Sequence, residues 1–359
     1  MNKIKAAVIG GVLTAMSGVV LAETPPRYDH VVIVLLENKR DVQVIGSSSA
    51  PYLNSLAAQG ANFAQAYAVT HPSQPNYIAL FSGDTQGVTN DSCPQSFGNA
   101  DNLGAALLAA GYSFAGYSEG LPNDGSTVCK SGRYARKHNP WVNFSNVPAS
   151  SNLMMSRFPS DYSKLPTVSF VVPDLCNDMH DCSVATGDAW VKANLDGYAQ
   201  WAKTHNSLLI VTFDEDDSSS SANRIPMVWV GAGIAPSVNY SRVDHYGVLR
   251  TLLDMYGLSP FARTVNAVPA SGVWTTPSIT PTAAPTATPK SSATPNPTVT
   301  AKPTSTPSTQ CAAAWSSTKT YASAGQTVSY IGHNYRNKWW TMGEQPNASV
   351  VWQDAGACR

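Results

Sequence analysis

Apolar residues fall along this chain in two alternating rhythms. Short runs at His30–Leu36, Ser113–Tyr117, Val168–Val172, Ser207–Phe213 and Ile225–Val230 are β-branched or aromatic and are bounded by Gly, Pro or Asp. Runs of this kind read as strands. Between them, Pro51–Ala58, Asn102–Ala110, Asp188–Thr204 and His245–Tyr256 carry apolar residues at helical spacing. The alternation predicts an α/β domain whose mostly parallel central sheet is covered by helices on both faces. Two of the strand runs stop abruptly in oxygen-bearing side chains: Glu37-Asn38 follows Leu36, and Asp214-Glu215-Asp216-Asp217 follows Phe213. Functional crevices in open α/β sheets lie at the carboxyl ends of the strands. Adjacent acids repel one another unless solvated or neutralised by a cation. Asp214 and Glu215, at the strand tip, therefore read as metal ligands, and Asp216 and Asp217 as a solvated acidic loop.

The two rhythms stop near residue 275. From there to Gln310 the chain is Thr, Pro, Ala and Ser with almost no large apolar side chain. Such a stretch cannot offset its ordering entropy by burial and reads as an extended tether. The expected organisation is a catalytic domain over 23–274, a linker over 275–310 and a small module over 311–359. At the other end, Lys3 and Lys5 precede an apolar stretch from Ala6 to Leu21, with Val20 and Ala22 at cleavage positions. This is the pattern of a secretory signal peptide over 1–22, implying export to the exterior or the periplasm. No other segment is long and apolar enough to span a bilayer.

Without Lys3 and Lys5 the 23 basic residues fall to 21 against 23 acidic ones, a net charge near −2. That balance supplies no basic footprint for nucleic acid. The six cysteines fall into local pairs, Cys93 with Cys129, Cys176 with Cys182 and Cys311 with Cys358, although spacing alone leaves connectivity open. Oxidation suits an exported chain.

Ser73 stands before an apolar helical run, Ile78 to Phe81, that ends at Ser82-Gly83. A serine at a helix mouth either caps the helix or points its hydroxyl into a site whose free N–H groups suit a phosphate. Taken in order, Glu37-Asn38, His71-Pro72-Ser73-Gln74-Pro75-Asn76-Tyr77, Asn177-Asp178-Met179-His180-Asp181, Thr212-Phe213-Asp214-Glu215 and Tyr246 to Thr251 resemble the secreted phosphoesterases. That family contains acid phosphatases and phospholipases C and has an alkaline-phosphatase-like sandwich fold. The resemblance implies that Glu37, Asn38, Asp214 and Glu215 hold a divalent metal. It makes Ser73 both ligand and nucleophile, through a phosphoserine intermediate, and Asn76 a contact for the phosphoryl oxygens. Asp178 and His180 fall where relatives place substrate-contacting or second-metal residues. His245 and His138 join as catalytic candidates, and Arg136-Lys137-His138-Asn139 offers positive charge to the phosphate. The oxygen donors suit Mg, Mn or Ca, and histidines leave room for Zn.

The tail is small and dense in aromatics. Ala314-Trp315-Ser316, Gly325 to Tyr330, Tyr335, Lys338-Trp339-Trp340-Thr341 and Val351-Trp352-Gln353 resemble chitin-binding modules of the 5/12 type. Trp315, Tyr330 and Trp352 are expected to fill an all-β core. Trp339 and Trp340, adjacent on a strand, face opposite sides, so at least one should be open to stack on a sugar ring, with Tyr335 beside it. The whole chain then reads as an exported metal-dependent phosphoesterase tethered to chitin or a related polysaccharide. The alternatives are a phosphodiesterase or phospholipase C on the same site, or an inactive chitin-binding adhesion protein. A chitinase is disfavoured, because Asp214 to Asp217 lack the alternating Asp-x-Asp-x-Glu spacing of one major chitinase family.

Overall fold

The strand His30–Leu36 lies at the centre of a sheet with every residue from Val31 to Leu36 buried, and its neighbour Ser207–Phe213 is buried throughout. Burial on both faces requires cover on both faces, which is why these runs are continuously apolar rather than alternating. The computed structural model describes residues 24–275, 311–321, 325–338, 341–347 and 351–358. The expected signal peptide, nearly all of the expected linker, and both Trp339 and Trp340 lie outside the described residues.

Eight strands make the sheet, in the spatial order Ser237–Asn239, Ala61–Phe63, Met227–Gly231, Ser207–Phe213, His30–Leu36, Val168–Val172, Phe114–Ser118 and Asn152–Met154. Only Met227–Gly231 runs against its neighbours; every other pairing in this sheet is parallel. The helices form two groups. Pro51–Gln59 packs with Val184–Ala202, and Ser73–Ser82 packs with His245–Met255 and Leu103–Ala109. Their ends follow local chemistry. Asn102, Ser183 and Asp244 cap three of them by accepting from Ala105, Thr186 and Gly247 N–H groups. Gly83, at φ 69°, ends Ser73–Ser82 in the left-handed conformation that glycine adopts without strain.

The chain forms two compact units, one through Thr280 and one from Pro281. The second contains an antiparallel sheet of Thr327–Tyr330, His333–Asn337 and Trp352–Ala357, and a ribbon of Thr320–Tyr321 with Thr341–Met342. Its core is Tyr321, Val328, Val351 and Trp352, with Trp315 and Tyr335 packed against them. Cys311–Cys358 closes this module across 47 residues; Cys93–Cys129 and Cys176–Cys182 staple loops of the first unit.

Candidate active site

Three adjacent parallel strands deliver the site. His30–Leu36 pairs in register with Ser207–Phe213 to the last residue, Leu36 opposite Phe213, so Glu37 and Asp214 emerge side by side. Asp214 N donates to Leu36 O at 3.0 Å, and Asn38 N donates to Asp214 Oδ1 at 3.1 Å. On the other flank, the loop after Val168–Val172 returns Asp178, whose carbonyl accepts from Glu37 N at 2.8 Å. The Cys176–Cys182 bridge closes that loop around Asp178 and His180. Ser73 is the first residue of its helix, and its hydroxyl caps nothing. Instead Ser73 Oγ lies 3.0 Å from Glu37 Oε2 and 3.2 Å from Glu215 Oε1. A nucleophilic hydroxyl needs such oxygens to receive its proton.

The acids are crowded out of water. Glu37, Asp178, Asp214 and Asp216 are fully buried, and Glu215 nearly so. Burial pushes Asp214 well above the usual carboxylate range, with the Glu37 and Glu215 charges adding to it. Burial likewise lifts Glu215 to about 7 against the opposing pull of His71, and Asp178 to about 6. Glu37 behaves oppositely. Burial raises it, but the His138 charge, the His138 contact, Lys137 and the Tyr77 hydroxyl more than offset this and hold it at about 2. Burial lowers His138, yet Glu37 and Asp178 outweigh it and keep the ring charged up to about 9.

The cluster suits a divalent cation. Asp214 Oδ2, Asp178 Oδ2 and His138 Nε2 are buried without a hydrogen-bond partner, a costly state for a protein interior. His138 Nε2 does lie 2.9 Å from Glu37 Oε1, but its N–H is out of line with that oxygen. Among the described residues Glu37, His138 and Asp178 bring ligand atoms within 4.8 Å of one another. That group is two carboxylates and an imidazole, a mixed oxygen and nitrogen donor set that admits Mn or Zn as well as Mg, and it does not include Asn38, Asp214 or Glu215.

Residues 37–259 match the phosphoesterase family, and residues 314–353 match carbohydrate-binding module family 5/12. The chain belongs to the phosphoesterase family. It is 54% identical over 255 residues to a phosphatidylinositol-3-phosphatase of Mycobacterium tuberculosis, covering 70% of this chain and 85% of that protein. It is 31% identical over 227 residues to an acid phosphatase of Aspergillus fumigatus, covering 58% of this chain and 51% of that enzyme. The chain thus spans about half the length of the fungal relative. A solved protein of the alkaline phosphatase superfamily from Vibrio parahaemolyticus overlaps 69% of this chain and 72% of its own, with TM-score 0.49 and 15% identity.

Within the phosphoesterase domain, several residues read from the sequence as facing phosphate are engaged elsewhere. Asn76 Oδ1 accepts from Val69 N and Thr70 N, and its Nδ2 donates to Thr70 O and Pro72 O, so the side chain ties its own loop together. Gln74 N donates to Asp91 Oδ1, and Pro75 has no N–H, which leaves the helix mouth poorer in donors than its position suggests. Arg136 holds Thr127 O, Gln95 O and Asn143 Oδ1. Lys137 pairs with Asp91 at 2.7 Å, and Asn139 donates to the Tyr134 hydroxyl. His245 lies behind the site, with Nε2 bonded to Asp214 O at 2.6 Å, and burial pushes it down towards the neutral form. His180 is one-third exposed and paired with Asp181, its ring 6.3 Å from that of His138.

Other residues at the site were not singled out by sequence. His71 bonds Glu215 Oε2 through Nδ1 and brings Nε2 to 3.5 Å from Asp216 Oδ1. Asp216, expected in a solvated loop, is fully buried, because Asn223 Oδ1 binds its N–H and Ser218 N binds its Oδ1. Asp217 does lie in the loop, paired with Arg40. Tyr77 donates its hydroxyl to Glu37 Oε1 at 2.7 Å and stacks its ring on His138. Lys39 Nζ reaches Met179 O at 2.9 Å. His71 and Tyr77 flank Ser73 inside the quoted motif, which was the signal available. In the carbohydrate-binding module, Tyr335 is half-buried and packs against the core.

Proposed function

We propose that this phosphoesterase is an exported, metal-dependent phosphomonoesterase with Ser73 as nucleophile, held on chitin or a related polysaccharide by its C-terminal module. The observation that carries the reading is the Ser73 hydroxyl lying between Glu37 and Glu215 at 3.0 and 3.2 Å. Glu37, Asn38, Asp214 and Glu215 would hold a divalent cation, which supplies neutralisation of the phosphoryl charge that grows as the nucleophile attacks. Ser73 Oγ attacks phosphorus as the ester P–O bond breaks, and the Ser73 proton passes to Glu215 Oε1, the more basic of the two carboxylates that it faces. The alcohol leaves with a proton from solvent. Water then attacks the phosphoserine, phosphate departs, and the proton returns to Ser73 Oγ.

The monoester is preferred because the relatives carry phosphatase names. The mycobacterial name makes phosphorylated inositol headgroups the specific substrates to include. Export is supported by the basic and apolar N-terminus, and the glycan tether by the module's family and the adjacent Trp339 and Trp340. The test is release of nitrophenol from mono- and diester substrates by wild type and Ser73→Ala, after chelation and metal re-addition. Metal-dependent monoester turnover lost in Ser73→Ala, with phosphoserine trapped in acid-quenched wild type, is the expected result. Turnover that survives the substitution would remove Ser73, a diester preference would replace the phosphatase reading, and an inert wild type would leave a glycan-binding protein.

A further inference from the structure

Each glutamate at Ser73 turns one oxygen to the hydroxyl and the other to a second donor. Glu37 gives Oε2 to Ser73 and Oε1 to the Tyr77 hydroxyl at 2.7 Å, with His138 Nε2 2.9 Å from the same oxygen but not hydrogen-bonded to it. Glu215 gives Oε1 to Ser73 and Oε2 to His71 Nδ1. Behind each histidine stands an aspartate on the ring's other nitrogen. Asp178 Oδ2 is 3.4 Å from His138 Nδ1, and Asp216 Oδ1 is 3.5 Å from His71 Nε2. The same Asp–His–Glu order occurs twice in space, from unrelated stretches of chain, but only the His71 ring is hydrogen-bonded to its glutamate.

We propose that His71 is a positioning residue, pinning the outer oxygen of Glu215 so that the inner oxygen stays on Ser73 and the cation, as the Tyr77 hydroxyl does for Glu37. The proposal rests on the metal-site reading above. A carboxylate otherwise rotates freely and offers either oxygen, or both. A donor on the far oxygen removes that freedom, and partners of this kind typically contribute about 10- to 100-fold in metal affinity. Each ring is fixed in turn. Tyr77 stacks on His138 with centroids 4.8 Å apart and planes 9° from parallel. Ser218 Oγ lies 3.2 Å from His71 Nδ1, and Asp216 Oδ1 lies 3.5 Å from the opposite edge.

The two ring nitrogens of His71 give a test that a space-filling role cannot imitate. An asparagine amide overlays the Nδ1 position of histidine, and a glutamine amide overlays Nε2. His71→Asn should therefore keep the donor to Glu215 and His71→Gln should lose it. Mn²⁺ is titrated into the chelated full chain and free Mn²⁺ is read by electron paramagnetic resonance, with near-ultraviolet circular dichroism to verify folding. His71→Asn should bind close to wild type, and His71→Gln about 10- to 100-fold more weakly. Equal loss with both amides would make that ring a ligand or a packing group, and no loss with either would make it idle; both results overturn the proposal. His71 is one-third exposed, so both variants are expected to fold. Wild type that binds no Mn²⁺ would overturn the metal site itself, an outcome separate from unchanged affinity in the variants.

Discussion

A serine hydroxyl between two carboxylates is an arrangement that a folded chain holds only if those acids are themselves held. Tyr77 does part of this by donating to Glu37 Oε1 at 2.7 Å in a fully buried pocket. Tyr77→Phe keeps the ring stacked on His138 but deletes a hydrogen bond to a charged group. The expected cost is about 1.5–3 kcal/mol in the chelated protein, read as a lowered denaturant midpoint, and the loss should shrink when a divalent cation is restored. Legibility at this scale tracked backbone context. Glu37, Ser73, Asp214 and Glu215 announce themselves because they punctuate apolar runs. Asp216 does not, since its burial depends on Asn223 and Ser218 wrapping around it from further along the chain. Asn76 misleads for the same reason: a residue type suited to phosphate is equally suited to tying its own turn, and the local amides claim it.

At the scale of elements, the long buried strands and amphipathic helices were readable to within a few residues, because period and end signals agree there. The short strands Ala61–Phe63, Asn152–Met154 and Ser237–Asn239 were not, since three residues carry no period. Packing between elements is less visible still. Helix Val184–Ala202 presents Gly187 to the loop that bears Asp178, and a Cβ there would come within 2.8 Å of Asn177 O and collide with the Met179 side chain. Gly187→Ala should therefore displace the Asp178 loop. Overpacking costs about 1–3 kcal/mol, and misplacement of a site group by about 1 Å can cost 100-fold in rate. The expected signature is turnover falling further than the melting temperature suggests, checked by comparing kcat with thermal unfolding in the same preparation.

At the scale of the whole molecule, the buried acids set a pH dependence whose sign is fixed. Asp178 at about 6 and Glu215 at about 7 hold protons that ordinary carboxyls at 3.8 and 4.5 have released. The stability they contribute is fully present below about pH 4 and is lost as pH rises through 6 to 7. His138 contributes below its ordinary 6.5 and loses that contribution as pH rises through about 9. Glu37, held at about 2, loses its contribution only as pH falls through that value. The melting temperature of chelated protein should accordingly fall between pH 4 and 7, and a divalent cation should flatten the fall; a flat profile without metal would contradict the burial of these acids. The small module depends on a different support. Its described core is only a few side chains, so reduction of Cys311–Cys358 should cost about 2–5 kcal/mol and, on the proposed chitin tether, weaken retention on chitin beads, measured with and without a thiol. The in-register pairing of Leu36 with Phe213 also predicts which changes of length this protein can survive. One residue inserted into either strand would turn its terminal acid to the other face of the sheet, whereas residues added to the exposed serine loop beyond Asp217 would leave that alignment untouched. Related chains should therefore vary in the lengths of their rims and keep those two strands uniform in count.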